Sequence, residues 1–168
     1  DVYHGVAPWM QDKSTPGIID SDNEHVLKIK CNDIEGLEEL LSIHGNDIAC
    51  FISSPYDHPV SRDNSLPKEG YWKKITSLCK QYEVLTIVDD VRAGFRINLG
   101  GSNVAFDFSP DMICFGKAIA NGHPLASLVG TEKLKHSAEK VYFTGTQFFS
   151  APPMAAALAT LDQLQKVN

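Results

Sequence analysis

A chain of 168 residues that is 43% hydrophobic is long enough for one buried core and has the composition of an ordinary globular domain. No apolar run approaches the ~20 residues that span a bilayer, which argues against a membrane protein. The net charge of −6, with no cluster of Lys or Arg, argues against a nucleic-acid surface, which needs a dense cationic footprint, and leaves small anionic ligands open.

In chain order, the first patterned segment is DIEGLEELLSIHG, which places Ile34, Leu37, Leu40 and Leu41 on one helical stripe, with acids near its start and Gly45 as a stop. The apolar run IACFISS at 48–54 reads as a strand, and the Pro-rich stretch PYDHPVSRDNSLP at 55–67 as an irregular loop leaving its end. A second helix is expected from about Lys68 to Tyr82, with Tyr71, Ile75, Leu78 and Tyr82 on one face. VLTIVDD at 84–90 and MICFGK at 112–117 are further strands, and 126–130 within ASLVG adds one more. The first three runs show little alternation, which suits strands buried on both faces of a parallel sheet. A third helix, from about Pro152 to Lys166, opens on two prolines, tolerated in a first turn. Strands alternating with helices predict right-handed βαβ crossovers and an α/β layered domain.

The four cysteines, Cys31, Cys50, Cys79 and Cys114, fall at no metal-ligand spacing, and at least three sit in apolar segments. Reduced thiols and a cytoplasmic location are expected. The opening residues DVYHGVAPWM have neither the basic start nor the apolar core of a signal peptide, and no initiator Met, so the chain is expected to begin inside a longer one.

Ligands of open α/β sheets bind outside the carboxyl ends of the strands, which brings Asp89, Asp90 and Lys117 toward one place. Alternation puts Asp89 and Val91 on one side and Asp90 on the other. Lys117 ends a buried run, where it either pairs with Asp89 or Asp90 or, desolvated, loses its proton and acts as a nucleophile. Asp90 is expected to be structural, pairing with Arg92 or Arg96. An Asp-Asp pair can also hold magnesium, but no phosphate-cradling Gly-rich loop accompanies it, and no metal is expected. His4, His58 and His123 read equally as loop residues and as ligands.

Four stretches together carry a resemblance: YHG at 3–5, IVDDVRAGFR at 87–96, FGKAIANGHPLASLVG at 115–130 and GTQFFSAPPMAAALATL at 145–161, with Lys117 following Asp89 by 28 residues. The chain resembles the class III (ω-type) pyridoxal-phosphate-dependent aminotransferases, and within them glutamate-1-semialdehyde aminomutase and related aminotransferases. The resemblance implies an α/β fold, the fold-type I large domain, with residues 1–168 as its central segment and the N-terminal segment and C-terminal small domain absent. It implies pyridoxal 5'-phosphate as cofactor, with Asp89 holding the protonated pyridine nitrogen and Val91 on one ring face. Tyr3, with His4 beside it, would cover the other face. Lys117 would form the Schiff base and carry the 1,3-proton transfer, and Thr146 would bind the phosphate of the neighbouring subunit, making the protein a homodimer. The substrate would be a small amino acid, keto acid or amino aldehyde, with neither nucleic acid nor membrane as partner. The alternative from another class is a catalytically silent fragment that keeps scaffold and dimer contacts. Where the family has Glu-Pro after the first strand this chain has Ser54-Pro55, and Pro59 falls near the position of a family Asn, so Tyr56 or His58 are the candidates to replace those contacts.

Overall fold

The computed structural model describes residues 11, 14–59 and 62–167, so Tyr3 and His4 lie outside the described residues. Helix α1 (Ile34–His44) is capped by Asp33, whose Oδ1 accepts the Gly36 N–H at 2.9 Å, one of the donors a first helical turn leaves unpaired. Leu37 and Leu41 form its buried face. The helix ends at Gly45 as expected, but for a different reason. Gly45 has φ −52° and passes into a 3-10 turn, so no left-handed backbone is involved. Its missing side chain matters instead, because a Cβ there would stand 2.5 Å from the Tyr82 ring.

Strand β1 (Cys50–Ser53) leads through the 55–67 loop to α2 (Tyr71–Gln81), which starts later than its periodicity suggests. Gly70 sits at φ 71° ahead of it, and a left-handed residue cannot continue a right-handed helix. The described parts of the loop are tied together: Asp57 and Ser65 exchange backbone hydrogen bonds of 2.9 and 2.8 Å, and Arg62 pairs with Asp57 at 2.6 Å. Strand β2 (Leu85–Asp89), the short α3 (Ser102–Ala105), β3 (Met112–Phe115), β4 (Ser127–Gly130), the one-turn α4 (Lys135–Ala138) and α5 (Ala151–Val167) follow. The sheet order is β1-β2-β3-β4, parallel across the first three and antiparallel at β4, so the α/β class with a mainly parallel sheet is what the chain forms.

Register pairs Phe51 with Thr86 and Ser53 with Val88, which puts these side chains on one face. Both amphipathic helices lie against that face, where Leu37, Leu41, Trp72, Ile75 and Cys79 join Val88 in one core with Phe51 at its margin. The expectation of burial on both faces is therefore corrected. β1 alternates, and on the other face Cys50 and Ile52 are exposed, because both helices cover the same side. Asp111 pins β2 to the loop entering β3: its Oδ2 accepts the Thr86 N–H at 2.8 Å and the Thr86 hydroxyl at 3.0 Å, while Lys133 pairs with Oδ1. Burial pushes this carboxyl up, but Lys133 and the Thr86 donors outweigh it and hold it below the usual range.

Trp72 organises the core. It is 2% exposed, its ring stacks on Phe108 at 4.4 Å with 9° between planes, and its Nε1–H donates to the Pro55 carbonyl at 2.8 Å. The bond fastens the exit of β1 to α2. Trp72→Phe should keep much of the stacking and strand the Pro55 carbonyl, costing about 1–3 kcal/mol in denaturant unfolding. An unchanged midpoint would show that the bond contributes nothing net.

Candidate active site

Two adjacent acids at the end of β2 part company. Asp90 is 1% exposed and turns into the protein, where its Oδ2 accepts the Ser102 N–H at 2.8 Å across the 91–101 loop. The expected pairing with Arg92 or Arg96 is not what forms, because a buried backbone donor at the start of α3 lies closer to hand. Asp90 Oδ1 and the Ser102 hydroxyl are buried without a hydrogen-bond partner among the described residues. Burial raises the Asp90 pKa above the usual carboxylate range; the Ser102 donor opposes this and the charge of Asp89 adds to it. Asp89 stays half-exposed, with its Oδ1 accepting the Val91 N–H at 3.2 Å. It pairs in register with Cys114 on β3, whose thiol is pushed up first by burial and then by the Asp89 charge.

The same β3 delivers Lys117. Phe115 ends the strand, Gly116 is fully extended, and Lys117 opens a 3-10 turn (Lys117–Ala120) with φ 44°, a left-handed conformation unusual for a side chain of this size. Gly116 packs directly on Val91: a Cβ at 116 would lie 3.0 Å from Val91 Cγ1. Val91 and the residue preceding Lys117 are thus in contact across neighbouring strand ends. Lys117 is exposed and lines an open cavity of about 740 Å³ together with Phe95, Arg96, Asn121 and the α5 residues Thr160 and Gln163.

A second tie, missed in the sequence, joins the loops after β1 and β2. Arg92 Nη1 donates to the His58 carbonyl at 2.6 Å and lies 3.0 Å from His58 Nδ1. His58 is fully buried, and Tyr56 meets its ring edge-on at 5.1 Å. Only the charge of Arg92 beside a strand end could have suggested the contact, since its partner is 34 residues away.

Thr146 is not part of this grouping. It lies exposed on the turn before α5, whereas α5 meets the Lys117 cavity through residues from Ala159 on, about 12 Å further along the helix axis. Phe148 and Phe149 are 44% and 75% exposed in this segment, tilted against each other with ring centroids 4.3 Å apart, with Phe143 edge-on to Phe148.

The mainly parallel α/β sheet carries an acid and a lysine at adjacent strand ends, the edge at which open sheets of this class bind ligands. Residues 11–168 match the family model for aminotransferase class-III, and the chain belongs to that family. It is 38% identical over 159 residues to aminopentol aminotransferase of Sphingopyxis macrogoltabida, covering 95% of this chain and 37% of the relative. It is 37% identical over 158 residues to glutamate-1-semialdehyde 2,1-aminomutase of Legionella pneumophila, covering 92% and 36%. The solved structure of the internal aldimine form of the FumI protein of Sphingopyxis sp. MTA144, with pyridoxal phosphate, superposes with a TM-score of 0.91 at 37% identity over 98% of this chain and 39% of that one. The chain thus spans under two fifths of the length of these relatives.

The raised pKa of Asp90 sets a pH dependence. The native state binds this proton more tightly than the unfolded chain, so the contribution is fully present below the unfolded value, about pH 4, and is lost as pH rises through the raised native value. Asp90→Asn keeps an acceptor for Ser102 and cannot ionise, so its stability relative to the parent should grow with pH. Asp90→Ala orphans the Ser102 N–H and should lose about 1–3 kcal/mol below about pH 4, a deficit that narrows as pH rises and the parent loses its own contribution. Parallel pH profiles for the parent and Asp90→Asn would show that Asp90 titrates normally.

Proposed function

We propose that the chain is the central segment of the cofactor-binding domain of a pyridoxal-phosphate-dependent aminotransferase or aminomutase, with Lys117 as the residue that bonds the cofactor. The observation that carries this reading is the juxtaposition of Asp89, Val91 and Lys117 on the adjacent ends of β2 and β3. The donor set fits the group: a half-exposed carboxylate for a protonated pyridine nitrogen, an apolar side chain for a ring face, and an exposed primary amine for an aldehyde carbon. When bound, pyridoxal phosphate supplies an electron sink for the charge left on the substrate carbon. Asp89 holds the proton on the ring nitrogen that keeps the sink strong. Val91, fixed against Gly116, limits the ring plane from one side, and Tyr3 with His4 is assigned to the other. Lys117 would bond the cofactor through its amine and would serve as the base that moves the proton at the substrate α-carbon. The substrates are small amino or keto acids or amino aldehydes.

The site is shared across a homodimer, with Thr146 of one subunit donating to the phosphate held by the other. Support comes from the exposed aromatic cluster of Tyr142, Phe143, Phe148 and Phe149 beside Thr146, which a partner surface would bury. A cytoplasmic location is supported by the four unpaired thiols, all with pKa raised by burial, Cys79 to about 12.

Two experiments test the reading. After incubation with pyridoxal phosphate and borohydride reduction, the covalent label should map to the peptide bearing Lys117, and Asp89→Asn should weaken cofactor binding by roughly tenfold or more, the value of a charge-assisted bond. A label on another lysine, or equal losses in Asp89→Asn and Asp90→Asn, would end the assignment. Mixing Lys117→Ala with Thr146→Ala subunits should partly restore activity, because a heterodimer then contains one site carrying both changes and one carrying neither. No recovery in a mixture shown to exchange subunits would return Thr146 to a structural role.

A further inference from the structure

We propose that Asn121–Gly122, on the wall of the Lys117 cavity, is a self-modification site at which Asn121 deamidates through a succinimide to aspartate and isoaspartate. Of the seven asparagines whose following residue is in the sequence, Asn121 alone precedes glycine, which offers the least hindered backbone nitrogen. Both residues are exposed, at the left-handed end of the 3-10 turn, with φ 44° at Asn121 and φ 99° at Gly122. A Cβ built on Gly122 meets nothing within 4 Å, so no neighbouring side chain crowds the glycine. The turn is held by two backbone bonds, a long one from the Asn121 N–H to the Ala118 carbonyl at 3.3 Å and one of ordinary length from the His123 N–H to the Ala120 carbonyl at 3.0 Å. Rotation about the Asn121 Cα–C bond, away from its ψ of 52°, is the motion that brings the Gly122 nitrogen to the side chain.

The chemistry needs only water. The Gly122 backbone nitrogen gives its proton to solvent base and attacks Asn121 Cγ; a C–N bond forms, the Cγ–Nδ2 bond breaks, and ammonia leaves carrying a proton from water. Water then opens the ring at either carbonyl. The balance is amide plus water to carboxylate plus ammonium, with no oxidation or reduction.

The position gives the change a consequence. Asn121 shares the cavity with Lys117 and Arg96, so the product adds a negative charge beside two cations. An anion near a lysine favours its charged form, which is not nucleophilic. The isoaspartyl product also lengthens the backbone of the loop leaving Lys117 by one carbon. The site does not depend on the cofactor assignment, because the reaction involves this chain alone.

The test is to incubate the folded chain in mildly alkaline, ammonia-free buffer and follow tryptic peptides by mass. The peptide 118–133 should show the amide-to-carboxylate change, with an isoaspartyl form, before any peptide carrying another asparagine, and at a rate that rises with pH. Asn121→Gln should abolish the change in that peptide. Faster conversion at a different asparagine, or conversion of Asn121 only after unfolding in urea, would overturn the proposal. Asn121→Asp, which supplies the charge directly, should slow labelling of Lys117 by a small aldehyde at neutral pH, and an unchanged rate would sever the modification from Lys117.

Discussion

The hydrogen bond from the Ser102 N–H to Asp90 is the constraint on which the site depends. The Asp90 carbonyl takes the Gly94 N–H at 2.7 Å and its carboxyl takes Ser102 at 2.8 Å, so a single residue closes both the tight turn and the wider 91–101 loop. Gly101, at φ 97°, makes this possible, since a Cβ there would press to 3.0 Å from the Asp90 carboxyl. With Asp90 committed inward, strand alternation leaves Asp89 facing outward, and Val91 is carried onto Gly116. The acid, the apolar wall and the lysine therefore share one mechanical origin, although they come from two strands.

This arrangement is not the lowest in energy for its parts. A buried carboxyl with one oxygen lacking a partner costs desolvation energy, and a left-handed lysine costs roughly 1–2 kcal/mol more. The surrounding core offsets both. Trp72, Ile75 and Val88 are essentially inaccessible, and the Asp111 clamp holds the middle of the sheet against local distortion. Strain of this kind survives where neighbouring structure over-determines a position, and here it falls on Lys117, proposed to act, and on Asp90, which holds the loop beside it.

Much of this was legible in the sequence because it is local. Apolar runs ending in DD and GK located β2 and β3 and the polar residues at their ends, and the 3.6 period located α1 and α2. What escaped reading depends on contacts between distant segments. The Arg92–His58 tie, the Asn32 side chain that bonds the Leu66 carbonyl and the Lys68 N–H, and the indole of Trp72 on Pro55 each join residues that no periodicity relates. The stripe read for α2 omitted Trp72 and Cys79, because the helix buries a wider arc than one row of a helical wheel. Asp90 was rightly separated from Asp89 by alternation, but its partner is a backbone N–H, and a sequence announces charged side chains more readily than it does donors of the main chain.

The indole bonded to the Pro55 carbonyl also makes the joint between β1 and α2 visible from outside. A tryptophan packed flat against Phe108 and hydrogen-bonded in a dry core emits in a different environment from one that has swung into water. Any opening of the loop at its β1 end must draw Pro55 away from this chromophore. The chain therefore contains its own optical gauge of that loop: with Trp9, the other tryptophan, replaced by phenylalanine, the colour and lifetime of the Trp72 emission would register how often the first strand lets go of the second helix.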